Sequence, residues 1–162
     1  MIFLKSTKKV DPVPDLLSSI LYNETTFYNK FKSDLFRAEK EVIIESPFIT
    51  LNRLDSLKSN LESLIHLGVK VFVITRDPKE HEDDLVYQSE MAIQYFERLG
   101  VQVLLMSGGH HRKIVMIDRK ILFEGSLNIL SQGRSREFMR RIESKKLTEE
   151  MFTFLKYSQM GI

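Results

Sequence analysis

The sequence contains no cysteine. That removes disulfides, thiolate nucleophiles, zinc fingers and iron–sulfur clusters together, and it fits a reducing compartment. Only seven glycines and four prolines occur, too few for a fibrous or low-complexity chain. No apolar run approaches the roughly 18 residues that cross a bilayer. The opening MIFLKSTKKVDPVPD turns polar too early for a secretory leader. These absences predict a cytoplasmic protein without stable membrane insertion, whose chemistry comes from groups other than sulfur.

The 162 residues, 43% hydrophobic and 28% charged, suit about one domain with one core. Residues 1–14, with Pro12 and Pro14, read as a lead-in, and residues 15–162 as a single domain. The net charge of +2 is unevenly spread. Between His111 and Lys146 stand ten Lys or Arg against four acids. Such a surplus suits an anionic partner, nucleic acid or lipid phosphate, and equally a solvated positive face.

Apolar residues from Leu16 to Phe36 recur at helical spacing, with Asp15 placed to cap a first helix. Val42-Ile43-Ile44 reads as a buried strand stopped by Ser46-Pro47. A second helix follows from about Asp55 to Leu67, closed by Gly68 as a left-handed cap. Residues 69–74 read as a strand, 84–99 as a third helix ended by Gly100, and 101–106 as a further strand. After Gly108-Gly109 the rhythm changes: runs at 111–117, 120–124 and 136–142 are strand-like without intervening helices, and a last helix covers about 148–157. The pattern predicts an α/β fold with a mixed, largely parallel sheet and helices on both faces.

Open α/β sheets hold ligands at the carboxyl ends of their strands, and the segment richest in chemistry is GGHHRKIVMIDRKILFEGSLNILSQGRSRE. On a strand His111, Lys113, Val115 and Ile117 share one face. An imidazole and an ammonium then stand side by side. Gly125-Ser126-Leu127-Asn128 can bring backbone N–H groups, a hydroxyl and a carboxamide to the same pole, a donor set that suits a phosphate without a metal.

The spacing His111-x-Lys113-x4-Asp118-x6-Gly125-Ser126-x-Asn128 resembles the H-x-K-x4-D-x6-G-S-x-N pattern of the phospholipase D superfamily and matches it at every specified position. Glu137 stands where that family has a downstream acid, and Glu45-Ser46-Pro47-Phe48 is similar to the end of its early strand. The resemblance implies a phosphodiesterase with no metal and no cofactor, working through a phosphohistidine. His111 would be the nucleophile or the acid. Lys113 and Asn128 would hold the nonbridging oxygens with help from Ser126, and Glu137 would orient and polarise an imidazole. Asp118 looks structural, since it opens the turn between two strands and can accept from local backbone N–H groups; Gly125 is grouped with it as structural support.

In-line displacement places the entering and leaving atoms on opposite sides of phosphorus, so one imidazole cannot serve both. His110 faces away from His111, while His66 and His81 lie elsewhere in the sequence, and all three read as packed or solvated residues. The resemblance, with one motif copy where many members carry two, implies a homodimer that brings two copies of His111 together at its two-fold axis. The acids from Glu80 to Asp84 read as a helix start, not a metal site. Gly108-Gly109 lacks the P-loop pattern and reads as access to the active strand. The function expected is a DNA endonuclease, DNA being preferred to RNA. The alternatives are a phospholipase or phosphatidyl-transferring enzyme, and a noncatalytic nucleic-acid-binding dimer.

Overall fold

The computed structural model describes residues 15–162; the lead-in expected for 1–14 lies outside them. One seven-stranded sheet organises the chain. Its strands are β1 (Ser18–Asn23), β2 (Glu41–Glu45), β3 (Lys70–Arg76), β4 (Gln102–Met106), β5 (Ile114–Ile117), β6 (Ile121–Gly125) and β7 (Phe138–Glu143). The helices are α1 (Phe27–Leu35), α2 (Leu51–His66), α3 (Asp83–Leu99) and α4 (Lys145–Phe154).

In space the strands run β1-β7-β6-β5-β2-β3-β4. The expected mixed α/β sheet is present, with parallel pairing confined to β2, β3 and β4. The other four pairings are antiparallel, so antiparallel contacts outnumber parallel ones. The cause is the helix-free second half: β5 and β6, joined by a short turn, must run antiparallel, and β7 returns beside β6 without a crossover helix.

Alternation along each strand builds two cores. Val42 and Ile44, Val71 and Val73, Val115 and Ile117 face one way, against Phe27, Phe31 and Leu35 of α1, Leu54, Leu57, Leu61 and Leu64 of α2, and Phe96 of α3. Ile43, Phe72, Ile74, Ile114 and Met116 face the other, where Phe152 of α4, Leu155 and Tyr157 cover them. Three helices on one face and one on the other leave part of the second face open beside β7 and β1. Leu21 and Phe138 are exposed there.

The first expected helix is corrected. Residues 18–23 form β1, antiparallel to β7, and helix begins only at Phe27. The contiguous run Ile20-Leu21-Tyr22 suits a strand, and Asn23 ends it: its side-chain oxygen accepts from the backbone of Thr25 and Thr26, each at 3.1 Å, an Asx turn. Asp15 caps a different helix, accepting from Lys146 N at 2.6 Å and Ser144 Oγ at 2.8 Å where α4 begins. That helix starts at Lys145 because the Ser144 hydroxyl accepts from Leu147 N at 3.1 Å. Gly68 and Gly100 do close α2 and α3 with positive φ.

The expected strand 111–117 is shorter than the sequence implied. β5 begins at Ile114, opposite Glu45 and Glu124; beyond those positions β2 runs into Ser46-Pro47 and β6 into Gly125-Ser126. His111 to Lys113 therefore precede the sheet on an unpaired segment.

Candidate active site

The carboxyl ends of β2 and β3, the start of β5 and the end of β6 meet at one pole of the sheet. There an open cleft of about 420 Å³ is lined by His111, Arg112, Lys113, Glu124, Phe138 and Arg140, among others. His111 is exposed, while Lys113 is half-buried beside it. The Lys113 ammonium donates to the His111 carbonyl at 2.7 Å and contacts its Nδ1. With Nδ1 so engaged, Nε2 is the ring nitrogen left for a substrate. Burial first, then the charges of Lys113 and Arg76, hold the His111 imidazole below its ordinary pKa. Burial likewise holds Lys113 below its usual value, against the opposing pull of Glu137 and with some help from Arg76.

Ser126 and Glu137 are brought together although they stand eleven positions apart. The Ser126 hydroxyl donates to the Glu137 carboxylate and accepts from Phe138 N at 3.2 Å, while Ser126 N donates to Phe138 O at 3.0 Å. Within the chain Glu137 bonds Ser126, not His111, so the imidazole contact expected of it is not made here. Its own backbone N–H goes to Glu24 at 3.0 Å.

Asn128 lies early in the loop after β6. Its backbone carbonyl accepts from Ser131 N and Gln132 N at 3.0 and 2.7 Å, and its buried Oδ1 has no hydrogen-bond partner among the described residues. The loop is tied down by Tyr28 Oη to Ile129 O (2.9 Å), Arg53 to Gln132 O (2.7 Å) and Leu130 N to Ser46 Oγ (3.1 Å).

Asp118 stands at the opposite pole. Its carboxylate accepts from the backbone of Glu39, Lys40 and Glu41 at 2.9, 2.8 and 3.0 Å. The expectation of local turn donors is thus corrected: the donors lie some 78 residues away, at the start of β2. They hold a three-residue hairpin loop, Asp118 to Lys120, in which Asp118 and Arg119 both take positive φ. Gly125 is required by closeness, since a Cβ there would stand 2.2 Å from the carbonyl oxygen of Phe138.

The basic surplus divides. Arg112, Arg119 and Arg141 are paired with Glu45, Glu41 and Asp34 at 2.7, 2.5 and 2.6 Å, and Lys120 and Lys145 line a hollow beside Asp118. Arg134 and Arg136, exposed on the loop leading to Glu137, and Arg140 in the cleft stand on the site's side. The other histidines are elsewhere. His110 is buried, its Nε2 3.1 Å from Glu45; His66 is exposed at the end of α2. His81 packs on the Phe48 ring at 5.1 Å, and the same ring meets His111 edge-on at 6.2 Å. Gly108 N and Gly109 N donate to Glu80 at 2.6 and 3.1 Å, so the acidic run supplies a clasp for this loop.

Sequence reasoning had Glu45 and Phe48 only as part of the early strand and Arg140 only within the basic surplus, giving none of them a place at the site, and it missed Arg76 and Phe138. For Glu45 and Arg76 a signal existed: each is a charge ending a β-branched strand, at the pole where such sheets bind ligands.

Residues 31–157 match the family profile described as cardiolipin synthase, PLD-like domain. The chain belongs to the phospholipase D-like phosphodiesterase superfamily. Among solved structures this phospholipase D-like chain is similar to NucT from Helicobacter pylori, with 19% identity and a TM-score of 0.70 over 86% of this chain and 94% of that one. It is also similar to Nuc from Salmonella typhimurium, a phospholipase D family member (18%, TM-score 0.69, 88% and 91%). A third is phosphatidylserine synthase from Haemophilus influenzae Rd KW20 (18%, TM-score 0.67, 96% and 41%). At these identities the likeness is one of fold. No curated protein matches the chain. Among the described residues no helix is long and apolar enough to cross a membrane.

Proposed function

We propose that the chain is a metal-independent endonuclease that cleaves DNA through a phosphohistidine at a site shared by two copies. The observation that carries this reading is the pairing of His111 with Lys113 in a cleft that no other imidazole of the same copy enters. Nε2 of neutral His111 gives its lone pair to phosphorus; the N–P bond forms as the P–O bond to the leaving sugar oxygen breaks. That oxygen takes its electron pair and a proton from the partner copy's imidazolium. Water then passes a proton to the same partner imidazole and attacks phosphorus, releasing His111. Lys113 and the Asn128 carboxamide N–H hold the nonbridging oxygens, and the Ser126 hydroxyl assists only on turning its proton from the Glu137 carboxylate to the phosphate. Drawing Lys113 onto a phosphate oxygen frees Nδ1 to carry the imidazole's proton.

Arg134, Arg136 and Arg140 support a polyanionic substrate, since each contact to a backbone phosphate releases counterions. The test is plasmid cleavage in excess EDTA. Nicking that persists with EDTA and disappears in His111→Ala supports the reading; strict magnesium dependence overturns it. A second reading, transfer or hydrolysis of phosphatidyl groups, is favoured by the apolar groove of Leu122, Ile142, Leu147, Met151 and Phe154, which adjoins the cleft at Glu124. Faster turnover of phosphatidylglycerol liposomes than of DNA would select it. DNA binding with no turnover of any diester would leave a noncatalytic dimer.

A further inference from the structure

His111 stands on a segment that pairs with no strand, so something other than the sheet must aim it. Three charged residues hold that segment. Glu80 takes Gly108 N and Gly109 N. Arg76 donates twice to the His110 carbonyl, from Nε at 3.0 Å and Nη2 at 2.8 Å. The third, Glu45 at the end of β2, is 0% exposed.

Glu45 bonds one neighbour of His111 and touches the other. Its Oε1 accepts from Arg112 Nε at 2.7 Å and lies 3.1 Å from His110 Nε2, a packing contact without hydrogen-bond geometry. Its Oε2 accepts from the Tyr157 hydroxyl, which comes from the short helical turn after α4. Arg112 bound to this buried carboxylate, with His110 against the same oxygen and its carbonyl held by Arg76, fixes the chain on either side of His111. A carboxylate is costly to bury unless its lone pairs are filled, and this one accepts from a guanidinium and a phenol, with an imidazole packed against it. None of these residues is a specified position of the H-x-K pattern.

We infer that Glu45 is a positioning residue for His111, acting through His110 and Arg112 from beneath the site. The inference rests on the catalytic reading of His111. Misplacing a reacting group by about an ångström costs up to about a hundredfold in rate, so Glu45→Gln, which keeps the shape and removes the charge, should lower kcat at least about tenfold on bis(p-nitrophenyl) phosphate. KM should stay within about twofold, because the groups that meet the phosphate are untouched. Glu62→Gln, an exposed change on α2, serves as the control. Normal kcat in folded Glu45→Gln overturns the inference while leaving the enzyme reading intact. Should Glu45→Gln fail to fold, Arg112→Met removes one of the two links, and an unchanged kcat there overturns it equally. If the wild-type protein turns over no diester, the enzyme reading fails, and positioning is read from the His111 imidazole resonances in ¹H–¹⁵N spectra. A shift in Glu45→Gln but not in Glu62→Gln supports the inference; coincident spectra overturn it.

Discussion

The α-carbon of Gly125 lies so close to Phe138 that a methyl group on it would stand 2.2 Å from the Phe138 carbonyl oxygen and 2.9 Å from the Met139 α-carbon. Both obstacles are backbone of β7, which cannot swing aside as a side chain would. Gly125→Ala must therefore push β6 from β7 beside Ser126. We expect a loss of about 2–4 kcal/mol, at the severe end for point changes, read by urea denaturation, together with weaker phosphate binding.

Asp118→Ala should destabilise the fold while leaving the cleft's chemistry in place in the molecules that remain folded. It removes the acceptor for three backbone N–H groups and the tie that holds two positive-φ residues. Part of the site is solvated, so the loss should be about 1–3 kcal/mol. Specific activity lost more steeply than folded fraction would contradict a structural role.

Arg141 and Asp34 are nearly enclosed, their side chains 5% and 2% exposed. Arg141→Met leaves Asp34 with Lys30, at 2.8 Å, as its remaining cation. The expected cost is about 3 kcal/mol, the low end for breaking a buried pair, measured as a shift of the urea midpoint at constant m-value.

In Lys113→Met the positive charge beside Nδ1 of His111 is gone. That charge is one of the causes lowering the imidazole pKa, after burial, so its removal must raise the titration midpoint of His111. NMR titration of the ring reads this directly and needs no turnover. A midpoint that stays or falls would mean that the ammonium is not seated against the ring in solution.

Both ring nitrogens of His81 are buried without a partner among the described residues. Burial, then Arg76, holds its pKa below the ordinary value. The fold thus favours the neutral ring, the unfolded chain binds the proton first, and stability contributed by the neutral ring is lost as pH falls below about 6.5. His81→Phe should raise stability by about 1 kcal/mol near neutrality, as an unsatisfied polar group is removed. It should also flatten the decline of the melting temperature between pH 7 and 5.

Mixing tests the shared site. If each site needs His111 from both copies, mixing wild-type and His111→Ala protein at constant total concentration under exchange conditions makes activity fall as the square of the wild-type fraction; independent sites in single copies would give a linear fall.

Much of this molecule was legible as pattern. The alternation of β-branched runs with 3.6-residue periodicity marked β2, β3, β4, α2 and α3, because burial of one face repeats at the period of the element. Gly68 and Gly100 marked helix ends because only a left-handed residue closes them there. The spacing from His111 to Asn128 was enough to name the family. What local pattern could not supply was pairing. Whether Ser18–Asn23 is helix or strand depends on β7, more than a hundred residues away, offering it an edge. Whether Arg112, Arg119 and Arg141 meet a substrate or a buried acid depends on which carboxylate the fold delivers beside them, so a charge count overstated the basic surface. The same holds at the site: the residue types came from the chain's own order, whereas the seating of Glu45 beneath His111, and of Glu137 on Ser126, arises only once strands distant in sequence lie side by side at hydrogen-bonding distance.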